Sequence, residues 1–258
     1  MRIISLCLEG IHQAAQRGLY DWLTSQDADV ICLQNLKAQE HELEWQPQFE
    51  LDGYFAYFFG DSEPQSNGVA IYTRAMPKAL MYGFGFSSGE DMKGRYLQAD
   101  FGDISIGSLL APSGVTGEPS QDIKRQFFQD LQAHLEKISH KRRNYIICGN
   151  WNMAHSEIDL QNPDSNQETS GYLVSERRWM DTLFRGLGYA DAFRIGNRDT
   201  DEYSWWPSGE HGEGDGWRVD YQVISRELSP KVEYAVMYKA KTFSSHSPVI
   251  VDYDIEEL

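Results

Sequence analysis

Tyr145-Ile146-Ile147-Cys148-Gly149-Asn150-Trp151-Asn152 is the stretch on which the fold turns. Four apolar residues in succession read as a strand buried on both faces, because a strand with one wet face alternates apolar and polar side chains. Gly149 ends the run, and two asparagines stand just beyond it. The form recurs in Val30-Ile31-Cys32-Leu33, which closes on Gln34 and Asn35, and in the opening run Arg2 to Leu8.

Outward from these runs, Ile11 to Ser25 predicts a helix, with Ala14, Ala15, Leu19, Trp22 and Leu23 at helical spacing. The polar stretch Lys37 to Gln48 is helical in part. Short aromatic and β-branched runs at residues 54–58 and 68–72 read as strands about a Ser62 to Gly68 turn. Further strands are expected at Ala79 to Phe84, Tyr96 to Phe101 and Ile104 to Leu110. Ser120 is placed to cap a helix whose stripe is Ile123, Phe127, Leu131, Leu135 and Ile138. Its basic exit, Lys137 to Arg143, suits a helix C-terminus. A polar loop spans Asp159 to Gly171, and Ser175 caps a helix through Arg185, ended by Gly186 and Gly188. Strands return at residues 203–206, 218–224, 231–237 and 249–253, and the four glycines of Ser208 to Gly216 predict a mobile loop. With no linker or repeat, the expectation is one α/β domain, residues 1–258, of two packed sheets with helices outside.

The chain has 258 residues and a formal charge of 23 − 39 = −16. Its bulk field does not attract naked nucleic acid, so direct binding is expected to be weak without a local basic patch, a divalent cation or a partner. No apolar run reaches the roughly 20 residues that span a bilayer, and the start reads as a strand, not a signal peptide. Cys7, Cys32 and Cys148 lie far apart in apolar runs. They read as reduced, buried thiols of a cytoplasmic protein, with no zinc spacing among them.

Polar residues cluster where the apolar strands end: Gln34 and Asn35, Asn150 and Asn152, Asp220, Ser245 and His246. Singly, each has a structural reading: Asn152 suits a turn, Asp220 could pair with Arg218, and His246 could be a satisfied interior histidine. Together with Asp29 to Gln34, Gly94 to Asp100, Asn152-Met153-Ala154-His155, Tyr203-Ser204-Trp205-Trp206 and Gly216 to Tyr221, they make the chain resemble the endonuclease/exonuclease/phosphatase superfamily, and exonuclease III and the abasic-site endonucleases within it. The resemblance implies a four-layered α/β sandwich, two packed mixed β-sheets flanked by helices. It implies phosphate-ester hydrolysis at a divalent cation such as magnesium.

On that resemblance the expected site is degenerate. Cys7 stands for an Asn, Asn35 for the metal-binding Glu, Leu110 for a Tyr, Asn150 for the catalytic Asp, and Ser245 for an Asp taken to support His246. Asn152, Asp220 and His246 match, and Trp205 is retained. An amide is a poor magnesium ligand and cannot accept a proton near neutral pH. These losses, with runs such as Leu187 to Ala192 and Trp217 to Val223, make the chain similar to the catabolite repression control subgroup. That likeness implies a non-catalytic regulator without metal or cofactor, acting after transcription with the RNA chaperone Hfq to repress translation of A-rich mRNAs. Lys141, Arg142, Arg143, Arg194 and Arg198 are the candidate partner-binding cations. The alternative is a magnesium-dependent exodeoxyribonuclease III or abasic-site endonuclease. A small-phosphoester hydrolase with Cys7 as a new nucleophile or soft-metal ligand is weaker still.

Overall fold

Alternation within each apolar run assigns its residues to two different cores. In the strand Arg2–Cys7 (β1), Ile3 and Cys7 enter a layer between two sheets, while Ile4 and Leu6 enter a layer beneath helices. In the strand Asn144–Asn150 (β8), Ile146 and Cys148 face the central layer, and Tyr145 and Ile147 the helical one. Both faces are therefore dry, and the runs need no polar residue. The computed structural model describes residues 1–63, 65–85, 89–256 and 258. Pro64, within the expected turn, lies outside the described residues.

The first sheet holds β1, Val30–Gln34 (β2), Phe55–Phe59 (β3), Val69–Thr73 (β4), Val232–Met237 (β11) and Val249–Tyr253 (β12), in the order β11-β12-β1-β2-β4-β3. The second holds Ala79–Tyr82 (β5), Tyr96–Asp100 (β6), Ile104–Leu110 (β7), β8, Tyr189–Asp191 (β9) and Asp220–Ser225 (β10), in the order β5-β6-β7-β8-β10-β9. Each sheet has one parallel pair, β1 with β2 and β7 with β8, and is otherwise antiparallel. Helices Ile11–Gln16 (α1) and Leu19–Thr24 (α2) bridge the first pair, and Pro119–Ser139 (α4) bridges the second, with Glu40–Leu43 (α3), Val174–Asp181 (α5) and Ala192–Gly196 (α6) elsewhere. The expected four-layered sandwich is the observed one. Among the described residues no helix is long and apolar enough to cross a membrane.

Local chemistry corrects several boundaries. The helix expected over residues 11–25 is two, because Gly18 takes a left-handed φ of 78°. Ser120 accepts the Val115 N–H at 3.1 Å and folds the preceding loop, while Pro119 opens α4. Ile123 is 44% exposed, and the buried face of α4 runs through Lys124, Phe127, Phe128, Leu131, Leu135 and Ile138. Glu176, not Ser175, satisfies the start of α5 by accepting the Gly171 and Leu173 N–H groups. Strand β9 and helix α6, which holds Arg194, occupy a segment for which the sequence offers no element.

Amide side chains tie the sheets together across the central layer. Gln34 donates to the Ser108 hydroxyl at 2.9 Å, and Gln222 donates to the Ile3 carbonyl at 3.1 Å while accepting from the Tyr253 hydroxyl. Gln34, grouped above with the strand-end residues, is thus an interior tie. All three cysteines are free and buried.

Candidate functional site

The two parallel pairs end at the same edge of the sandwich, where ligand clefts of α/β proteins form. Cys7 ends β1, Asn35 follows β2, Leu110 ends β7 and Asn150 ends β8. Asp220 opens β10 directly opposite Asn150 in the antiparallel register. At Gly149, φ is 149° and an added Cβ would lie 1.9 Å from the Leu109 carbonyl oxygen, so only glycine lets β8 approach β7 this closely before Asn150.

His246 and Asp220 form the charged centre. The Asp220 Oδ2 lies 2.7 Å from His246 Nδ1 and accepts the Ser204 hydroxyl, also at 2.7 Å. Burial lowers the pKa of His246, but the Asp220 carboxylate outweighs it and holds the imidazole protonated well above its usual range. This corrects one expectation: Ser245 does not leave the histidine without an orienting carboxylate, because Asp220 performs that task. Asp220 in turn does not pair with Arg218, which binds Asp159 and Asp191 at 2.8 and 2.7 Å. The second oxygen of Asp220, Oδ1, is buried without a hydrogen-bond partner.

The remaining positions are turned to neutral uses. Asn35 has a φ of 57° and donates its amide to the Leu8 carbonyl at 2.7 Å. Asn150 accepts the Asn152 N–H at 2.8 Å and points its NH2 at the Cys7 sulfur, 3.5 Å away. Asn152 donates to the Ala111 carbonyl at 2.7 Å. Leu110 packs in the central core. Trp205 bridges to both His246 and Trp217, its ring 6.2 Å from the His246 ring. Beside it lies a pocket of about 320 Å³ lined by Trp205, Trp217, Val219, Asn152 and Ser170.

Three residues of this neighbourhood escaped sequence reasoning. Ser204 accepts the Val219 and Asp220 N–H groups as well as supporting the carboxylate. Ser244 donates to the Cys7 carbonyl at 2.6 Å and accepts the His246 N–H. Lys124 donates to the Asn152 carbonyl at 2.8 Å and pairs with Glu176 at 2.7 Å. The available signal was Lys124 itself, a charge three residues from Phe127 on the apolar face of α4.

The candidate partner cations do not form one surface. Lys141, Arg142 and Arg143 precede Asn144, at the opposite end of β8 from the site. Arg143 is spent on Asp100 and the Ser105 hydroxyl, and Arg194 on Asp159, while Lys141, Arg142 and Arg198 are exposed.

Magnesium fits this donor set badly. Of the four acidic positions that the resemblance assigns, two hold amides and one a serine, and only Asp220 keeps its carboxylate. One oxygen of that carboxylate is engaged by His246 and Ser204, and the ligand atoms grouped with it are a thiol sulfur and an imidazole nitrogen, softer donors than the oxygens a hard dication takes. The site does hold a mixed group: ligand atoms of Cys7, Asp220 and His246 lie within 4.8 Å of one another.

Comparison with known proteins places this geometry in context. The model of the Endonuclease/Exonuclease/phosphatase family matches residues 12–246. An exodeoxyribonuclease of Bacillus subtilis (strain 168) is 30% identical over 96% of this chain and 98% of its own length. A DNA-(apurinic or apyrimidinic site) endonuclease of Dictyostelium discoideum is 28% identical over 99% of this chain and 71% of its own. The structure of an AP endonuclease from Archaeoglobus fulgidus superposes with a TM-score of 0.89 at 22% identity, covering 99% of this chain and 100% of that one. These findings overturn the expectation of a non-catalytic, Hfq-dependent regulator of catabolite repression: the full-length relatives are nucleases by name. That expectation leaned on the lost acids and on a histidine believed unpaired, and the second premise fails in the Asp220–His246 contact.

Proposed function

From the premise that the chain belongs to the Endonuclease/Exonuclease/phosphatase family, we propose that it is a phosphodiester-cleaving DNA repair nuclease acting at abasic sites. The observation that carries this reading is the buttressed His246–Asp220 pair, 2.7 Å apart at the strand-end cleft. The cleft has one carboxylate and one imidazolium, so it is close to neutral and does not repel a phosphate. The His246 imidazolium supplies positive charge where a phosphoryl oxygen gains negative charge, and the Ser204–Asp220 contact holds the ring in place. The pocket beside Trp205 and Trp217 offers an apolar wall to a sugar that has lost its base. At −16 overall, the protein needs screening by a divalent cation to approach a duplex. A cytoplasmic setting suits its three free thiols.

The test is strand cleavage of a duplex with one abasic site, run with magnesium, manganese and cobalt in parallel. We expect cleavage in at least one ion and a loss of about a hundredfold in His246→Ala. Equal rates for the two proteins in every ion would overturn the assignment.

A further inference from the structure

We propose that the cleft is a binding site for one borderline or soft dication, such as zinc or cobalt, held by Cys7 Sγ, Asp220 and His246. Two independent observations support it. The ligand atoms of the three residues already lie within 4.8 Å of one another, and all three residues are at least 93% buried. The Asp220 Oδ1 is also buried without a donor, an unmet demand that a cation relieves. Sulfur, imidazole nitrogen and one carboxylate oxygen are the donors zinc selects, and magnesium selects against a thiolate. The same replacements that spoil the cleft for magnesium therefore suit it to a softer ion.

The charges balance. Binding displaces the protons of the Cys7 thiol and of the ligating imidazole nitrogen to solvent, and a thiolate, a carboxylate and a neutral imidazole then offset the two positive charges. The inference rests on the proposed nuclease reading only for what the ion serves; the site itself stands on geometry.

The experiment is a cobalt(II) titration of the full chain, reading the thiolate-to-cobalt absorption in the near ultraviolet. One equivalent is expected, with the band lost in Cys7→Ser, affinity at least tenfold weaker in Asp220→Asn, and no change in Cys148→Ser. A large excess of magnesium should not displace the cobalt. No stoichiometric band, a band that survives Cys7→Ser, or displacement by magnesium overturns the proposal. If Cys7→Ser does not fold, anomalous scattering from a zinc-soaked crystal of the unaltered protein decides: density about 2.3 Å from Cys7 Sγ supports the site, and its absence refutes it. A band without abasic-site cleavage upholds the ion site and removes the nuclease reading. Cleavage with magnesium alone and no band does the reverse.

Discussion

Lys124–Glu176 and His246–Asp220 are both buried ion pairs, linked through Asn152 and Asn150, and they differ in how fully their hydrogen-bonding capacity is used. Lys124 spends its ammonium on Glu176, the Asn152 carbonyl and the Ser170 hydroxyl. Glu176 accepts on both oxygens, from Lys124 and Gln121 on one and from two backbone N–H groups on the other. His246–Asp220 keeps one carboxylate oxygen free. A saturated pair fixes the loop it touches, whereas an unsaturated pair retains capacity for a ligand. The difference separates framework from site among groups of the same charge and burial.

The comparison can be pushed hardest by restoring the missing acids. Asn35→Glu with Asn150→Asp should raise magnesium-dependent cleavage of an abasic duplex by about four powers of ten in kcat/KM, since single electrostatic groups are each worth about 10²–10³. The same variant should melt at a lower temperature without ions, because the added carboxylates repel Asp220. No gain in rate would show that something besides the lost acids limits the cleft. A smaller effect is expected from the saturated pair. Lys124→Met leaves Glu176 buried and uncompensated and should cost about 3–5 kcal/mol in urea unfolding, much of it recovered by adding Glu176→Leu. A single-variant loss under about 1 kcal/mol would deny the pair its framework role.

The smallest effect belongs to a buried ionisable group with no acid beside it. Burial, with help from Lys141 and Lys137, lowers the pKa of His134 to about 4. Its folded-state pKa therefore lies below the unfolded value of about 6.5, so protons bind the unfolded chain more readily. Stability should be unaffected above pH 6.5 and fall by about 3 kcal/mol on acidification to pH 4. His134→Phe should flatten that slope in thermal melts across this range; an unchanged slope would assign the acid sensitivity elsewhere.

The apolar runs made the buried strands legible because dry faces leave an unbroken signature. The edge elements were harder. β9 has three residues and α6 five, too few to show a period. The stripe on α4 was misjudged by one position because Lys124, buried by its partners, broke the apolar pattern that Ile123 seemed to continue. The strand-end residues other than Gln34 lie along one edge of the sandwich, but their partnerships depend on contacts across the chain. Asp220 and His246 are 26 residues apart, and Cys7 meets Asn150 across 143. Neither spacing has a local signature. Ser204 and Ser244 look like ordinary loop serines until the backbone groups they serve are placed.

The Gln34–Ser108 tie sits one residue from Asn35, where the two sheets each supply one wall of the cleft. A strut at that point braces the gap between the walls. Under the nuclease proposal, the bending then falls to the duplex, and sequences or lesions that kink cheaply are admitted first.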